Sequence, residues 1–183
     1  MVNSLNSRNM KVAFIGTHGV GKTTLTYELC TRLKKLNLDV GYIEELARRC
    51  PFPINEDTSL EAQTWILATT ITKEIELSKI YRHTICDRSI LDNYAYLFHK
   101  FGHVTALYDL VRYWIRTYDL LIQVAINDAY LSPDGVRSVD RAFQRNIDEK
   151  IGVLLAETGT PVIIYREMDE VVDLIRELSN QTA

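Results

Sequence analysis

The sequence predicts a doubly wound α/β fold built on a parallel sheet. Three observations carry the prediction. Short apolar runs alternate with longer segments of helical periodicity along the chain, which implies crossovers between parallel strands. Each short run is apolar almost throughout, as strands are when helices cover both faces. No repeat or linker interrupts the alternation. Residues 11–183 therefore read as one domain behind a flexible lead-in, residues 1–10.

The elements follow in order. Residues 11–15 (KVAFI) form a buried strand that ends at Gly16. Leu25, Leu29, Leu33 and Leu36 make a helical stripe across residues 22–37. Residues 40–43 are a second strand, and Pro51 and Pro53 break the chain after it. Thr58 and Glu61 have capping-box spacing, so a long helix opens there and runs to about Lys79. Residues 84–86 give a third strand, closed by Asp87. Residues 89–101 are aromatic-rich and helical, and a second helix carries Val104, Leu107, Val111, Trp114 and Tyr118. Residues 120–126 are a fourth strand, and Ser132-Pro133-Asp134-Gly135 is a turn. A helix over about 140–157, a turn at 158–161, a strand at 162–165 and a helix over 169–179 complete the chain.

Composition narrows the class. A chain of 183 residues buries roughly 70% of its unfolded surface and needs no staple. Its net charge is −3, without a long basic block, which argues against nucleic-acid binding. No apolar run reaches the roughly 18 residues of a membrane span, and the polar start lacks a signal-peptide core. A cytoplasmic protein is expected, monomeric or homodimeric. Cys30, Cys50 and Cys86 are odd in number and form no CxxC pair, so they read as reduced thiols.

Gly16-Thr17-His18-Gly19-Val20-Gly21-Lys22-Thr23 fits G-x-x-x-x-G-K-[ST] at every fixed position, between a strand and a helix. Accident yields that pattern in on the order of 1% of chains this long, at a glycine frequency of about 7%. Glycines let successive N–H groups converge on one anion, and the helix start adds its positive dipole end. Lys22 supplies an ammonium for the β- and γ-phosphates, and the Thr23 hydroxyl is a Mg²⁺ ligand. His18 reads as a variable loop position that contributes its backbone.

Other polar residues gather where strands end, the edge at which open parallel sheets bind ligands. Asp87 can reach a Mg²⁺ shell or an acceptor hydroxyl, and the Arg88 fork can hold a phosphate or hydroxyl. The bland alternative is a strand-end carboxylate paired with its neighbour. Glu44 and Glu45 follow the second strand, and adjacent residues of a strand face opposite ways, so one of them suits a general base. Arg137, Arg141 and Arg145 form a third cluster within a lid-like segment, about residues 131–147. Arginines there can steady a transferring phosphoryl group, or form a solvated basic face. Gln63 and Trp65 open the long helix: a base-reading amide, or a surface Gln beside a core Trp.

These motifs resemble the P-loop kinase group, in particular small AAA-type domains related to the ribosylnicotinamide kinase part of NadR. The resemblance to deoxynucleoside and thymidylate kinases is more distant. It spans residues 10–178 and rests on GTHGVGKTT, EELARR, LEAQ, CDRS and DGVRSVDRAFQRNID. It implies a three-layer P-loop NTPase with a five-stranded parallel sheet in order 2-3-1-4-5. It also implies that Gly16 to Thr24 hold ATP phosphates and that Glu45 lies near the acceptor hydroxyl, with Glu44 the fallback. Arg48 completes the Glu-x-Ala-Arg segment beside the substrate, Asp87 and Arg88 contact the acceptor, and the three arginines fall in the lid. No Glu-Pro follows the second strand, unlike many deoxynucleoside kinases, and no adenylyl-transfer partner domain is visible.

The expected activity is a Mg²⁺-ATP-dependent phosphotransferase acting on a nucleoside, nucleotide or ribosyl small molecule. The alternative is a nucleotide-binding switch or regulatory NTPase acting on a protein partner, with the aromatic stretch 94–118 as its surface. No [NT]-K-x-D guanine signature occurs. A stand-alone ATPase is a third reading.

Overall fold

The computed structural model describes residues 9–127 and 140–181. Five parallel strands, β1 (Met10–Ile15), β2 (Val40–Ile43), β3 (His83–Asp87), β4 (Leu120–Gln123) and β5 (Ile163–Ile164), form one sheet in the order β2-β3-β1-β4-β5. Among the described residues, six α-helices surround it: α1 (Lys22–Lys35), α2 (Leu60–Ser78), α3 (Ile90–Phe101), α4 (Thr105–Trp114), α5 (Arg141–Thr158) and α6 (Met168–Gln181). Each strand-to-strand connection carries a helix, so the α/β prediction and the strand order both hold. Most of residues 1–10 and of the lid-like segment, Arg137 included, lie outside the described residues.

Alternation along β1 divides the core in two. Val12 and Phe14 pack with Leu29 and Leu33 of α1 and Val171 and Ile175 of α6. Ala13 and Ile15 pack with Leu91 and Tyr94 of α3 and Ile147 and Ile151 of α5. All of β1 and β3 is buried, as expected for central strands covered on both sides. The edge strand β5 departs from that pattern: Ile163 and Ile164 are exposed. Most large side chains of the aromatic stretch are core: Tyr94, Tyr96, Val111, Ile115 and Tyr118 are buried, while Phe101 and Tyr113 are exposed.

Several ends differ from the sequence pattern for local reasons. The fourth strand stops at Gln123, not Ile126, because its neighbour β1 ends: Ile15 pairs with Gln123, and Gly16 then turns away. The cap of α2 is Ser59, whose hydroxyl accepts from Ala62 N. The Thr58 hydroxyl instead accepts from Gln63 Nε2 at 2.8 Å. α3 starts in a capping box, with Ser89 and Asp92 bonding each other's backbone N–H. The helix expected through Tyr118 ends at Trp114 and continues as a 3₁₀ turn, Ile115–Thr117. A second 3₁₀ turn, Leu46–Arg49, follows β2.

Candidate active site

The loop from Gly16 to Thr23 leaves β1 and enters α1. Gly16, Gly19 and Gly21 have φ of 141°, 66° and 91°, a region costly to residues with a Cβ. A Cβ on Gly16 would also lie 2.7 Å from Val124 O. Gly21 caps α1 without a side-chain bond, so the first N–H groups of the helix stay available to an anion. Lys22 is buried and donates to the carbonyls of Gly16 at 2.8 Å and Thr17 at 2.5 Å. Burial, with Arg88 adding repulsion, lowers its pKa to about 8. An arriving phosphate reverses that balance.

Thr23 Oγ1 donates to Asp87 Oδ2 at 2.5 Å. Two hard oxygens side by side at a phosphate loop fit Mg²⁺, which takes one or two protein oxygens besides phosphate and water. Burial raises the Asp87 carboxyl, opposed chiefly by Lys22. No group of three or more His, Cys, Asp or Glu that could hold a metal by itself occurs among the described residues.

Glu45 and Arg88 form the second half of the site. Glu45 is buried at the end of β2, and Oε1 accepts from Arg88 Nε at 2.7 Å. Oε2 accepts from Arg48 Nε at 2.9 Å. Arg88 is buried with φ of 92°, a strained conformation for a bulky residue. Its N–H bonds Phe14 O at 3.2 Å and its Nη2 reaches the Tyr96 hydroxyl at 3.3 Å. Burial opposes its charge, but Tyr96, Glu45, Asp92 and Asp87 together hold its pKa well above the ordinary value. Asp92, fully buried, lies 3.5 Å from Arg88 Nη1. Burial outweighs Arg88 and raises the Asp92 pKa to about 6.

Three spaces adjoin along the carboxyl edge. An open trough beside α1 is lined by Val20, Gly21, Thr24, Leu25, Val124 and Tyr165, among others. It meets a narrow cleft over Gly19–Thr23, Asp87, Glu45 and Arg88. Beyond lies a small, partly open cavity lined by His18, Arg48, Gln63, Asn93, Tyr96 and their neighbours. Among the described residues, only Glu45 and Arg88 line both the cleft and this cavity.

The structure thus brings together the loop, Glu45, Arg48, Gln63, Asp87 and Arg88. It turns Glu44 outward onto Arg49. Arg141 and Arg145 are exposed at the start of α5 and line none of the three spaces. The surface-Gln reading is overturned, since Gln63 is buried, and Trp65 is half-buried where a core position was expected. His18 contributes more than backbone. Its buried ring lies 3.1 Å from the Tyr96 hydroxyl and 5.5 Å, centroid to centroid, from Phe143. Sequence reasoning missed Asp92, Asn93 and Tyr96, although polar residues three and four apart on α3 mark one face. It also missed Gln144, whose Nε2 donates to His18 O at 2.8 Å while its carbonyl accepts from Thr17 Oγ1 at 2.9 Å. Nothing local marks that contact, made across more than a hundred residues.

Comparisons with known proteins agree with this geometry. The chain is similar to thymidylate kinase from Ehrlichia chaffeensis, with a TM-score of 0.66 at 19% identity, over 92% of this chain and 99% of that one. Thymidylate kinase from Candida albicans follows with a TM-score of 0.64 at 17% identity, over 96% and 93%. Deoxyadenosine kinase from M. mycoides gives 0.60 at 16% identity, over 95% and 100%. Likeness at these identities is likeness of fold. No curated protein matches. Residues 11–170 match the family model described as an AAA domain. With that match across most of its length, the chain belongs to the AAA domain family and has the fold of a P-loop kinase-like NTPase.

Proposed function

We propose that the protein is a Mg²⁺-ATP-dependent phosphotransferase acting on a nucleoside, nucleotide or ribosyl small molecule. One observation carries the reading: Glu45 and Arg88 stand between the phosphate cleft and a second cavity. A hydrolase or switch needs the cleft, whereas a transferase needs a second compartment that opens onto it. The trough beside α1 suits the nucleoside part of ATP, and the loop backbone holds its phosphates. Lys22 exchanges the Gly16 and Thr17 carbonyls for phosphate oxygens. Thr23 and Asp87 hold Mg²⁺, which supplies charge neutralisation on the phosphates when bound. Arg137, Arg141 and Arg145 are candidate cations for the transferring group.

The test is incubation of the full chain with γ-labelled ATP, Mg²⁺ and pooled nucleosides, nucleotides and ribosylnicotinamide, followed by product separation. A labelled acceptor, absent with Lys22→Ala, is the expected result. Bound nucleotide without any labelled acceptor would instead favour the switch or regulatory reading, and hydrolysis alone the ATPase.

A further inference from the structure

A further pocket opens at the amino end of the sheet. It is lined by Met10, Lys11, Glu74, Ile75, Thr84 and Trp114, among others. At about 3.3 Å per strand residue, the run of β1 from Lys11 to Gly16 sets it roughly 16 Å from the phosphate loop. Its volume is about 220 Å³, below the roughly 300–1,000 Å³ of a site for a drug-sized ligand. A molecule of one ring, or of two fused rings, is the size that fits.

One buried atom in this pocket lacks a partner. Thr84 pairs with Lys11 across β1 and β3, so the two side chains leave the same face of the sheet. Thr84 is 1% exposed, and among the described residues its Oγ1 has no hydrogen-bond partner. The buried threonines of helices avoid this: Thr26 and Thr70 donate to the carbonyls of Lys22 and Ile66, each at 2.8 Å. A strand offers no carbonyl four residues back, so Thr84 has no such local outlet. A buried hydroxyl left unmatched is unfavourable, and a ligand that meets it removes the penalty.

The charges beside Thr84 are already matched. The Lys11 ammonium donates to Glu74 and to Thr117 Oγ1, both at 2.5 Å, and lies 4.9 Å from the centroid of the Trp114 ring. Glu74 accepts in turn from Lys11, Trp114 Nε1 and the Tyr118 hydroxyl. An anion would have to displace Glu74, and a cation would have to displace Lys11. With the indole N–H engaged, Trp114 offers a ligand its ring, and Met10 and Ile75 add apolar surface.

We infer that this pocket binds a small uncharged aromatic molecule with one hydrogen-bonding group. That group meets Thr84 Oγ1, and the ring lies against Trp114 and Ile75. The site is separate from the phosphate cleft and does not depend on the phosphotransferase reading.

The experiment titrates the isotope-labelled full chain with a matched set of probes and follows amide and indole N–H resonances. The probes are phenol, toluene, benzoate and benzylammonium at up to about 5 mM, the range in which molecules this small bind. Phenol should shift the amides of Lys11, Glu74 and Thr84 and the Trp114 indole N–H. Toluene, which lacks the hydroxyl, should bind about fivefold more weakly. Both ions should bind at least about tenfold more weakly than phenol. Thr84→Val should abolish the advantage of phenol over toluene, and Thr84→Ser, which keeps the oxygen, should restore it. Either ion binding as tightly as phenol would overturn the inference. So would shifts confined to the phosphate cleft, or no shift with any probe. Equal weakening of phenol and toluene by Thr84→Val, unrescued by Thr84→Ser, would mark Thr84 as merely structural and overturn it as well.

Discussion

Two buried ion pairs sit at opposite ends of one sheet. At the amino end, Lys11 of β1 meets Glu74 of α2 at 2.5 Å. The protein closes that pair: Glu74 also accepts from Trp114 Nε1 at 2.6 Å and from the Tyr118 hydroxyl, and Lys11 also reaches Thr117 at 2.5 Å. The Lys11 ammonium lies 4.2 Å from the centroid of the Tyr118 ring. At the carboxyl end, Arg88 meets Glu45 at 2.7 Å, yet Arg88 Nη1, Asp92 Oδ2 and Gln63 Oε1 are buried without hydrogen bonds. The same ingredients give one pair whose charged atoms all have protein partners, and one that leaves buried polar atoms without them.

The sharpest way to break this comparison is to remove one carboxylate from each end. Glu74→Gln leaves Lys11 buried without its counter-charge and should cost about 3–5 kcal/mol of stability. That is a fall in Tm on the order of 10 °C, with nucleotide binding per folded molecule retained. Glu45→Gln should instead lower turnover roughly 10²–10⁴-fold with the smaller fall in Tm. Thermal denaturation and turnover measured on both variants decide it. Equal falls in Tm, with activity tracking the folded fraction, would erase the distinction.

Lys22→Ala comes next, with turnover expected to fall roughly 10²–10³-fold. Its pH dependence sharpens the point. The free protein holds Lys22 at about 8, and a bound phosphate favours the charged form. Nucleotide affinity should therefore weaken above about pH 8, approaching tenfold per pH unit, with a proton taken up on binding. Calorimetry in buffers of different ionisation enthalpy measures that proton.

Asp92 gives a smaller effect on stability. Its folded pKa of about 6 lies above the unfolded value of roughly 3.9. Its contribution is thus fully present below the unfolded pKa and is lost as pH rises through about 6. Stability of the wild-type relative to Asp92→Asn should fall by up to roughly 3 kcal/mol between pH 4 and 7, read by denaturant titration at each pH. Smallest is Glu44→Gln. This exposed pair with Arg49 contributes about 0–1 kcal/mol, and its loss should reduce turnover far less than Glu45→Gln. Equal losses of turnover would move the acceptor-side carboxylate to Glu44.

Much of the site was legible because its signals are local. A glycine-rich loop between strand and helix declares its own geometry. Asp87 and Arg88 end an apolar run, so they had to emerge at the sheet edge. The choice between Glu44 and Glu45 was not local. Both sit at a strand end, and what separates them is that Arg88, 43 residues later, comes to rest against one face. Gln63 reads as surface because its neighbours on the helix are mixed, but the strand-end loop and α3 close over it. Gln144 and His18 gave no signal, since their contact joins a loop to a helix that only the folded sheet brings together.

By itself the sequence determined the alternation of strands and helices, the phosphate loop and the set of polar residues delivered to the carboxyl edge. These follow from periodicity, glycine geometry and strand termination, which act within a few residues. Only the tertiary structure decided which carboxylate is held between two arginines, which amide is buried without a partner, and that Trp114, Thr117 and Tyr118 gather around the amino-end pair. Burial and electrostatic partnership depend on distances between segments far apart in the chain, and those distances exist only once both faces of the sheet are covered.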